Sequence, residues 1–489
     1  MSKHRLQINI PLISRIIGII FFSVGIFMLI PVFISFFNYE EEWIWLAVSS
    51  GICIVSGFLL RTFAGEKVKY TLHRREGFII VGIIWILTPV VGALPFMLCN
   101  VLPNFTDAYF ESLSGFTSTG ATVINNVEAI PKGLLVWRSL SQWIGGLGLT
   151  LFSIILIRKL REGANYLYVA EFSGMLKEKI HPRMAKSTSR LWLVYALLTL
   201  SLFILLLVIG NEPVNSLCLA LSTVATGGFS PVNDNMSHFS ETTQIIVTVY
   251  MFLSAMSLVL IYQIFTGKFK KAFRKNEQLK WYIGIILTFS TILFAILFIN
   301  YHNPIGVSIK NALFITISTI STTGYYLNDV HFSGLSVFLI IFILMFIGGF
   351  SGSTSGGIKI VRIITLLKFI RAQFRRMVHP QAILQFKVNG EGIRPRNINI
   401  IFGFCFLYIL FFLGGTMVLC LCGQGLIDSM SMSASIIGNI GPAIGNICSD
   451  CSYIELPLIA KWTMCVLMIV GRVEVFSFIA LFLPKFWRS

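Results

Sequence analysis

The stretch Ser114-Gly115-Phe116-Thr117-Ser118-Thr119-Gly120 returns three more times along the chain. It reappears as Ser222-Thr223-Val224-Ala225-Thr226-Gly227-Gly228-Phe229 and as Ser318-Thr319-Ile320-Ser321-Thr322-Thr323-Gly324-Tyr325. A more diverged copy reads Ser435-Ile436-Ile437-Gly438-Asn439-Ile440-Gly441-Pro442. The copies stand roughly one hundred residues apart, which leaves room for one membrane span before each loop and one after it. About a dozen mostly apolar residues precede each glycine, enough for a short helix. Asp107, Asn311 and Asp428 lie thirteen positions before Gly120, Gly324 and Gly441, and Asn215 lies twelve before Gly227. Side chains of this kind accept from the free N–H groups of a first helical turn, so the four are expected to be N-caps. Each copy then reads as a cap, a half-membrane helix, a Thr/Ser/Asn-Gly segment and a return to the surface.

That geometry implies a chemistry. A half-helix ending inside the membrane points the negative end of its dipole at the centre. The segment after it can aim backbone carbonyls at a shared axis and replace the hydration shell of a cation. Glycine supplies the positive φ and close backbone approach this requires. Non-helical backbone at such depth is tolerated only inside protein or along a watery cavity. A lone Thr-Gly pair would be read equally well as a small-residue helix contact, but four copies in four similar loops favour a cation filter.

Composition sets the frame. Of 489 residues, 55% are hydrophobic and only 12% charged, and the mean hydropathy is +0.81. A soluble core could not cover runs such as Gly18 to Phe37, Gly77 to Leu98, Leu134 to Ile157 and Ile398 to Cys422, each long enough to cross a hydrocarbon layer of about 30 Å. The first run follows a basic start (Lys3, His4, Arg5) but is too long for a signal-peptide core and lacks a cleavage site, so it is expected to be a retained span. The net charge of +17 is concentrated in alternate loops. Basic residues crowd Arg61 to Arg75, Arg158 to Arg190, Lys268 to Lys280 and Arg371 to Arg396, while Asn211 to Ser240 and Gly423 to Glu455 hold no Lys or Arg. Alternation of this kind is the positive-inside pattern and puts the basic loops in the cytoplasm; it gives no reason to invoke nucleic acid. The histidines fall in terminal or loop segments and form no catalytic constellation inside the spans. Cys448 and Cys451 share an outer loop and could form a local disulfide, but that loop has too few ligands for a metal.

Two further features interrupt the apolar pattern. Gly348-Gly349-Phe350-Ser351-Gly352-Ser353-Thr354-Ser355-Gly356-Gly357 breaks the long run from Ser333 to Phe369. Its backbone must be satisfied by protein or water. It reads as an intramembrane loop obstructing the cytoplasmic exit, or as a simple hinge. A phosphate-binding loop is disfavoured because Gly357-Ile358-Lys359-Ile360 lacks the GK[ST] ending. Arg472 lies near the middle of the last span, and an ionisable group at that depth is a functional candidate by default. It is expected either to face the cavity beneath the filter as a barrier to dehydrated cations, or to pair structurally with Glu474 or with loop carbonyls.

The fourfold arrangement resembles the Trk/Ktr/HKT superfamily of potassium transporters, from Gly77 to the C-terminus. The two spans before it resemble the extra N-terminal pair of the bacterial TrkH branch. The resemblance implies an all-α membrane protein with ten transmembrane spans: four pseudo-symmetric helix–pore loop–helix units around one pore, plus two extra N-terminal helices. The expected divisions are residues 1–76 for the N-terminal pair, 77–160, 161–275 and 276–370 for the first three units, and 371–489 for the fourth. The family's filter positions carry over onto Ser118, Thr119 and Gly120; Ala225, Thr226 and Gly227; Thr322, Thr323 and Gly324; and Asn439, Ile440 and Gly441, which would bind the transported K⁺. The gating loop carries over onto Gly348, Gly349, Ser351, Gly352, Ser353, Thr354, Gly356 and Gly357, with Arg472 beside it. The resemblance also implies a homodimer in the bacterial inner membrane, both termini cytoplasmic. A separate cytoplasmic ring of nucleotide-binding, TrkA-type subunits would dock on the basic loops, with no nucleotide bound by this chain. A cation-coupled symporter working by alternating access is the remaining alternative.

Overall fold

Long apolar runs become long helices here because a bilayer leaves backbone groups no other partner. The computed structural model describes residues 9–65, 74–148, 184–267, 276–302, 304–327, 334–379, 387–389, 391–392, 395–443, 452–473 and 475–484. Cys448, Cys451, Glu474 and the basic stretch 158–183 lie outside them. The chain opens with a helical hairpin, α1 (Ile10–Phe37) and α2 (Trp43–Phe63). The first unit follows as α3 (Arg74–Gly92), α4 (Leu94–Leu98), α5 (Phe105–Phe116) and α6 (Lys132–Gly146). The second is α7 (Met184–Val208), α8 (Pro213–Val224), α9 (Glu241–Ser254) and α10 (Leu258–Phe265). The third is α11 (Glu277–Tyr301), α12 (Ile305–Ile320) and α13 (Leu335–Met345), then β1 (Ile347–Gly348), β2 (Ile358–Lys359) and α14 (Ile360–Val378). After a short antiparallel hairpin of β3 (Lys387–Val388) and β4 (Glu391–Gly392), the fourth is α15 (Pro395–Leu421), α16 (Leu426–Gly438), α17 (Leu458–Val473) and α18 (Val475–Ala480).

Of the ten expected crossings, six are long apolar helices among the described residues: Ile10–Phe37, Trp43–Phe63, Arg75–Leu98, Ser189–Val208, Glu277–Asn300 and Asn397–Leu421. The bent pair α9 and α10 would make a seventh, and the remaining expected crossings fall on the second helices of the first, third and fourth units. Helices α9 and α10 meet at 106°, and α13 and α14 are separated by the glycine-rich loop; α6 is described as far as Gly146 and α17 as far as Val473. In the first and fourth units the second helix is packed against the end of a pore helix. A Cβ on Gly145 would collide with Phe116 O, and one on Gly471 with Ile437 O.

The N-terminal hairpin is held by small residues. A Cβ added to Gly57 would meet Phe22 N at 2.5 Å and Gly18 O at 2.6 Å, so the two backbones touch, as small residues permit between membrane helices. Ser14 Oγ donates to Leu60 O at 2.9 Å and Ser50 Oγ to Gly25 O at 2.8 Å. The Glu40 carboxylate, in the hairpin loop, accepts from the Lys132 and Gly133 N–H groups at 2.6 and 3.1 Å. It thereby caps the free donors at the start of α6 and fixes the hairpin to the first unit. We expect Gly57→Leu to overpack this seam by about 1–3 kcal/mol and to lower the thermal midpoint of the purified protein, while leaving ion selectivity alone. An unchanged midpoint would show that the two helices do not meet there.

Candidate functional site

Four short helices, α5, α8, α12 and α16, converge at the centre of the molecule. The 12 residues of α5 span about 18 Å, little more than half a hydrocarbon layer. Their inner ends are buried on all sides: Ser112 to Phe116, Ala220 to Val224, Phe314 to Ile320 and Ser433 to Gly438 are inaccessible. The expected N-caps are not the caps. Asn104 caps α5, its side chain accepting from Thr106 N–H at 3.1 Å, while Glu212, Pro304 and Gly425 precede α8, α12 and α16. Asp107, Asn215 and Asp428 sit inside the first turn, and Asn311 lies further along its helix. Proline explains part of the shift, because Pro213 opens α8 and Pro304 immediately precedes α12; proline lacks the N–H that the first turn leaves unpaired. Asp107 still serves the helix start: its carboxylate takes the Lys461 ammonium at 2.6 Å and complements the dipole.

The C-terminal ends are built alike. The N–H groups of Thr119, Gly227, Thr323 and Ile440 donate to the carbonyls of Ser114, Ser222, Ser318 and Ser435 at 2.9, 2.9, 3.0 and 2.9 Å. The N–H groups of Ser118, Thr226, Thr322 and Asn439 donate three residues back, to Gly115, Thr223, Thr319 and Ile436. This pair of bonds is the Schellman closure, which requires a left-handed residue. That residue is Ser118, Thr226, Thr322 and Asn439, with φ of 54, 52, 57 and 53°. Two positions later comes a left-handed glycine: Gly120, Gly228, Gly324 and Gly441.

The second loop is therefore one residue out of the expected register. Ala225 ends helix α8, as Thr117 ends α5, and Gly228, not Gly227, stands where Gly120 stands. The sequence carried a trace of this. Asn215 is twelve residues from Gly227 but thirteen from Gly228, matching the other three loops.

The four loops close on each other. A Cβ on Gly120 would fall on the carbonyl oxygen of Gly227, and one on Gly228 on that of Thr323. One on Gly324 would fall on Ile440 O, and one on Gly441 on Thr119 O. First touches second, second third, third fourth, and fourth first, so the contacts form a ring. Gln142, from α6, braces it. Its side-chain amide donates to Gly227 O at 2.7 Å and accepts from Phe229 N–H at 3.3 Å. Asn439 reaches across to Thr119 Oγ1 at 2.9 Å and back to Met468 O at 3.2 Å. Outside the ring is a cavity bordered by Gly120, Gly228, Gly324 and Pro442.

The glycine-rich loop lies on the other side. Its ends pair in parallel, Ile347 with Ile358 and Gly348 with Lys359, and its tip is buried from Ser353 to Gly357, while Ser351 is exposed. Phe350 N–H donates to Ala255 O at 3.0 Å, in the break of the second unit, and Leu258 N–H donates to Gly352 O at 3.3 Å. Thr354 Oγ1 meets Thr226 Oγ1 at 3.2 Å, and Gly356 N–H donates to Thr322 Oγ1 at 2.7 Å. A Cβ on Gly356 would strike Gly438 O. Arg472 completes the contact with the first unit: its guanidinium donates to Thr354 O at 2.8 Å and to Gly145 O and Gly146 O at 2.7 and 2.6 Å. Of the two expectations for Arg472, the contact with loop carbonyls is seen. It also borders a cavity with Gly356, Gly357, Lys359 and Arg362.

The chain matches the model of the TrkH cation transport proteins over residues 47–302 and 302–489. It belongs to the TrkH family of cation transport proteins. It is 31% identical to the Trk system potassium uptake protein TrkH of Escherichia coli K12, over 98% of this chain and 99% of that protein. It is 31% identical to TrkG of the same strain over the same shares. The crystal structure of the potassium transporter TrkH from Vibrio parahaemolyticus superposes with a TM-score of 0.89 at 29% identity, covering 98% of this chain and 99% of that one. The all-helical, multi-pass membrane fold is thus that of the TrkH family, a family of transport proteins and not of enzymes.

Several residues of this TrkH-type site are absent from the sequence expectations: Gly228 as the left-handed glycine, Gln142, and, behind the ring, the buried ion pair Glu111–Arg138, 2.8 Å apart. The last had a signal, since both are ionisable groups within apolar segments, the rule that singled out Arg472. The register itself is testable. Gly228→Ala sets a Cβ on a rigid carbonyl at a positive φ, whereas Gly227→Ala meets only the end of the Gln142 side chain. Cation uptake should be abolished by Gly228→Ala and fall about tenfold or less in Gly227→Ala. The reverse order would restore the register expected from sequence.

Proposed function

We propose that this protein takes up potassium across the bacterial inner membrane through a filter formed by the four loops. The closed ring of glycine-on-carbonyl contacts carries this reading. Four helix C-termini aim their negative ends at one axis, and the turns after them hold carbonyls close enough together to replace water around a dehydrated cation. The filter residues on this reading are Ser118, Thr119 and Gly120; Thr226, Gly227 and Gly228; Thr322, Thr323 and Gly324; and Asn439, Ile440 and Gly441, with Ala225 moved back to the helix end. The names of the relatives in Escherichia coli and Vibrio parahaemolyticus support potassium as the cargo.

The segment Gly348 to Gly357 acts as the gate. It lies against the filter's left-handed Thr226 and Thr322 and is tied to the first unit through Arg472. Two threonines in a left-handed conformation are strained, at about 1–3 kcal/mol each, and their hydroxyls are the groups that meet the loop. The strained positions therefore link filter and gate. Both termini are cytoplasmic on this reading, and the protein works as a homodimer. The exposed basic end of α14 (Arg371, Arg375, Arg376) suits an acidic face of a cytoplasmic nucleotide-binding ring.

Rubidium uptake into proteoliposomes, with potassium, sodium or N-methylglucamine competing, tests the filter. Block by potassium and not by sodium is expected; equal block would make the pathway a general monovalent-cation one. Arg472→Ala removes both a fixed charge beneath the filter and a tether of the gate. Each ~1.4 kcal/mol taken from the barrier raises flux about tenfold, and a rise of at least that order is expected. Unchanged flux in folded protein would end the barrier role.

A further inference from the structure

Behind the ring, on its outer side, two charges are buried together. Glu111, midway along α5, is 0% exposed, and Arg138, on α6, is 2% exposed. Their Nε and Oε1 atoms stand 2.8 Å apart. Taking both charges out of water costs about as much as their attraction returns, so such a pair is weak evidence of added stability. What it does hold is the chain leaving the filter. Glu111 accepts from Val123 N–H at 2.9 Å and from Thr122 Oγ1 at 3.1 and 3.0 Å. Arg138 donates to Thr122 Oγ1 at 3.2 Å and to Ser230 O at 3.3 Å, and its guanidinium lies 4.2 Å over the Phe229 ring. Thr122 and Val123 follow Gly120; Phe229 and Ser230 follow Gly228. One ion pair therefore grips the exit strands of two neighbouring loops. A third joins through Tyr453, whose N–H donates to Thr122 O at 2.9 Å and whose hydroxyl donates to Gly441 O at 2.7 Å.

We propose that Glu111 and Arg138 are positioning residues that fix the spacing of the first, second and fourth loops at the outer mouth, and so set discrimination among monovalent cations. Neither needs to touch the ion. A charge-assisted network that ties both loops resists the small contraction that would let the carbonyls close on a smaller cation, whereas a neutral, looser contact would permit it. Thr122 is the hinge of the network, because its one hydroxyl meets both charges. The inference rests on the four-loop filter proposed above.

The test uses the full chain in proteoliposomes. Rubidium uptake is titrated with potassium and with sodium, and the ratio of the two half-blocking concentrations is compared between wild type and Glu111→Gln, Arg138→Gln, the double variant and Thr122→Val. The two single neutral variants should let sodium compete, changing the ratio on the order of tenfold, as expected when a supporting shell lets a site shift. Thr122→Val should move it the same way, about threefold, for the loss of one hydroxyl's bonds. The double variant should resemble the single ones, since the residues act as a unit. A ratio unchanged from wild type in any folded charge variant overturns the proposal. If the charge variants do not fold, Thr122→Val decides alone, and an unchanged ratio there overturns it too. A wild type without potassium preference would overturn the potassium reading, while a shift between wild type and variants would still identify the pair as positioning residues.

Discussion

Each left-handed glycine at the centre of this protein rests on the carbonyl of the next loop, and the four contacts close into a ring. A backbone oxygen at mid-membrane has no water to turn to, so it must find a donor, a cation or a cavity. The Schellman bonds satisfy the last carbonyls of each pore helix from Ser114, Ser222, Ser318 and Ser435. In the proposed filter, carbonyls beyond that closure are the ones that would face an ion. The same closure dictates the rest: it forces a left-handed residue, then a left-handed glycine, and makes each loop depend on its neighbour for space.

The breaks in the second helix of each unit follow from that ring. A pore helix ending halfway across leaves its terminus to be covered from below, and a straight helix alongside could not bend beneath it. Gly145 of the first unit and Gly471 of the fourth let the backbone approach a pore-helix terminus. In the second unit the chain turns by 106°. In the third it leaves the helix altogether for the loop from Gly348 to Gly357. That loop closes on itself through its paired ends and through Ser353 N–H to Phe350 O, and it is bonded as well to Ala255, Leu258 and Thr322. A segment that is closed on itself and also bonded to the other units can respond to them as one piece, which is what the proposed gate requires.

The repeats, the loop and the deep arginine were legible because each violates an expectation strong in membranes: glycine and hydroxyl clusters inside apolar runs, and a charge far from either surface. The architecture followed from counting spans between the repeats. The caps were not legible, because Asp and Asn favour both the cap and the first turn, and only the neighbouring prolines and Asn104 distinguish the two. The register of the second loop was lost to its doubled glycine. Gly227 completes the better local match to Thr-Gly, while the left-handed turn that decides the matter is a property of helix α8's last hydrogen bonds. Glu111 and Arg138 were passed over because they are far apart in sequence and join only when α5 folds against α6.

The placement of charge gives the fourfold ring a direction. On the outer side, Arg138 is neutralised by Glu111 and Lys461 is bonded to Asp107, so the basic groups nearest the mouth oppose a cation little. On the inner side, the Arg472 guanidinium donates to the carbonyls of Thr354, Gly145 and Gly146, which fix its orientation. Lys359 and Arg362 border the same inner cavity. In the proposed pathway a cation passes the paired charges of the mouth before it reaches the Arg472 guanidinium beneath the filter. The loop from Gly348 to Gly357 is one of the elements holding Arg472 in position, so in the proposed gate a movement of the loop would also release Arg472 from Thr354. Obstruction and electrostatic barrier would then change together, through the bond between Arg472 and Thr354.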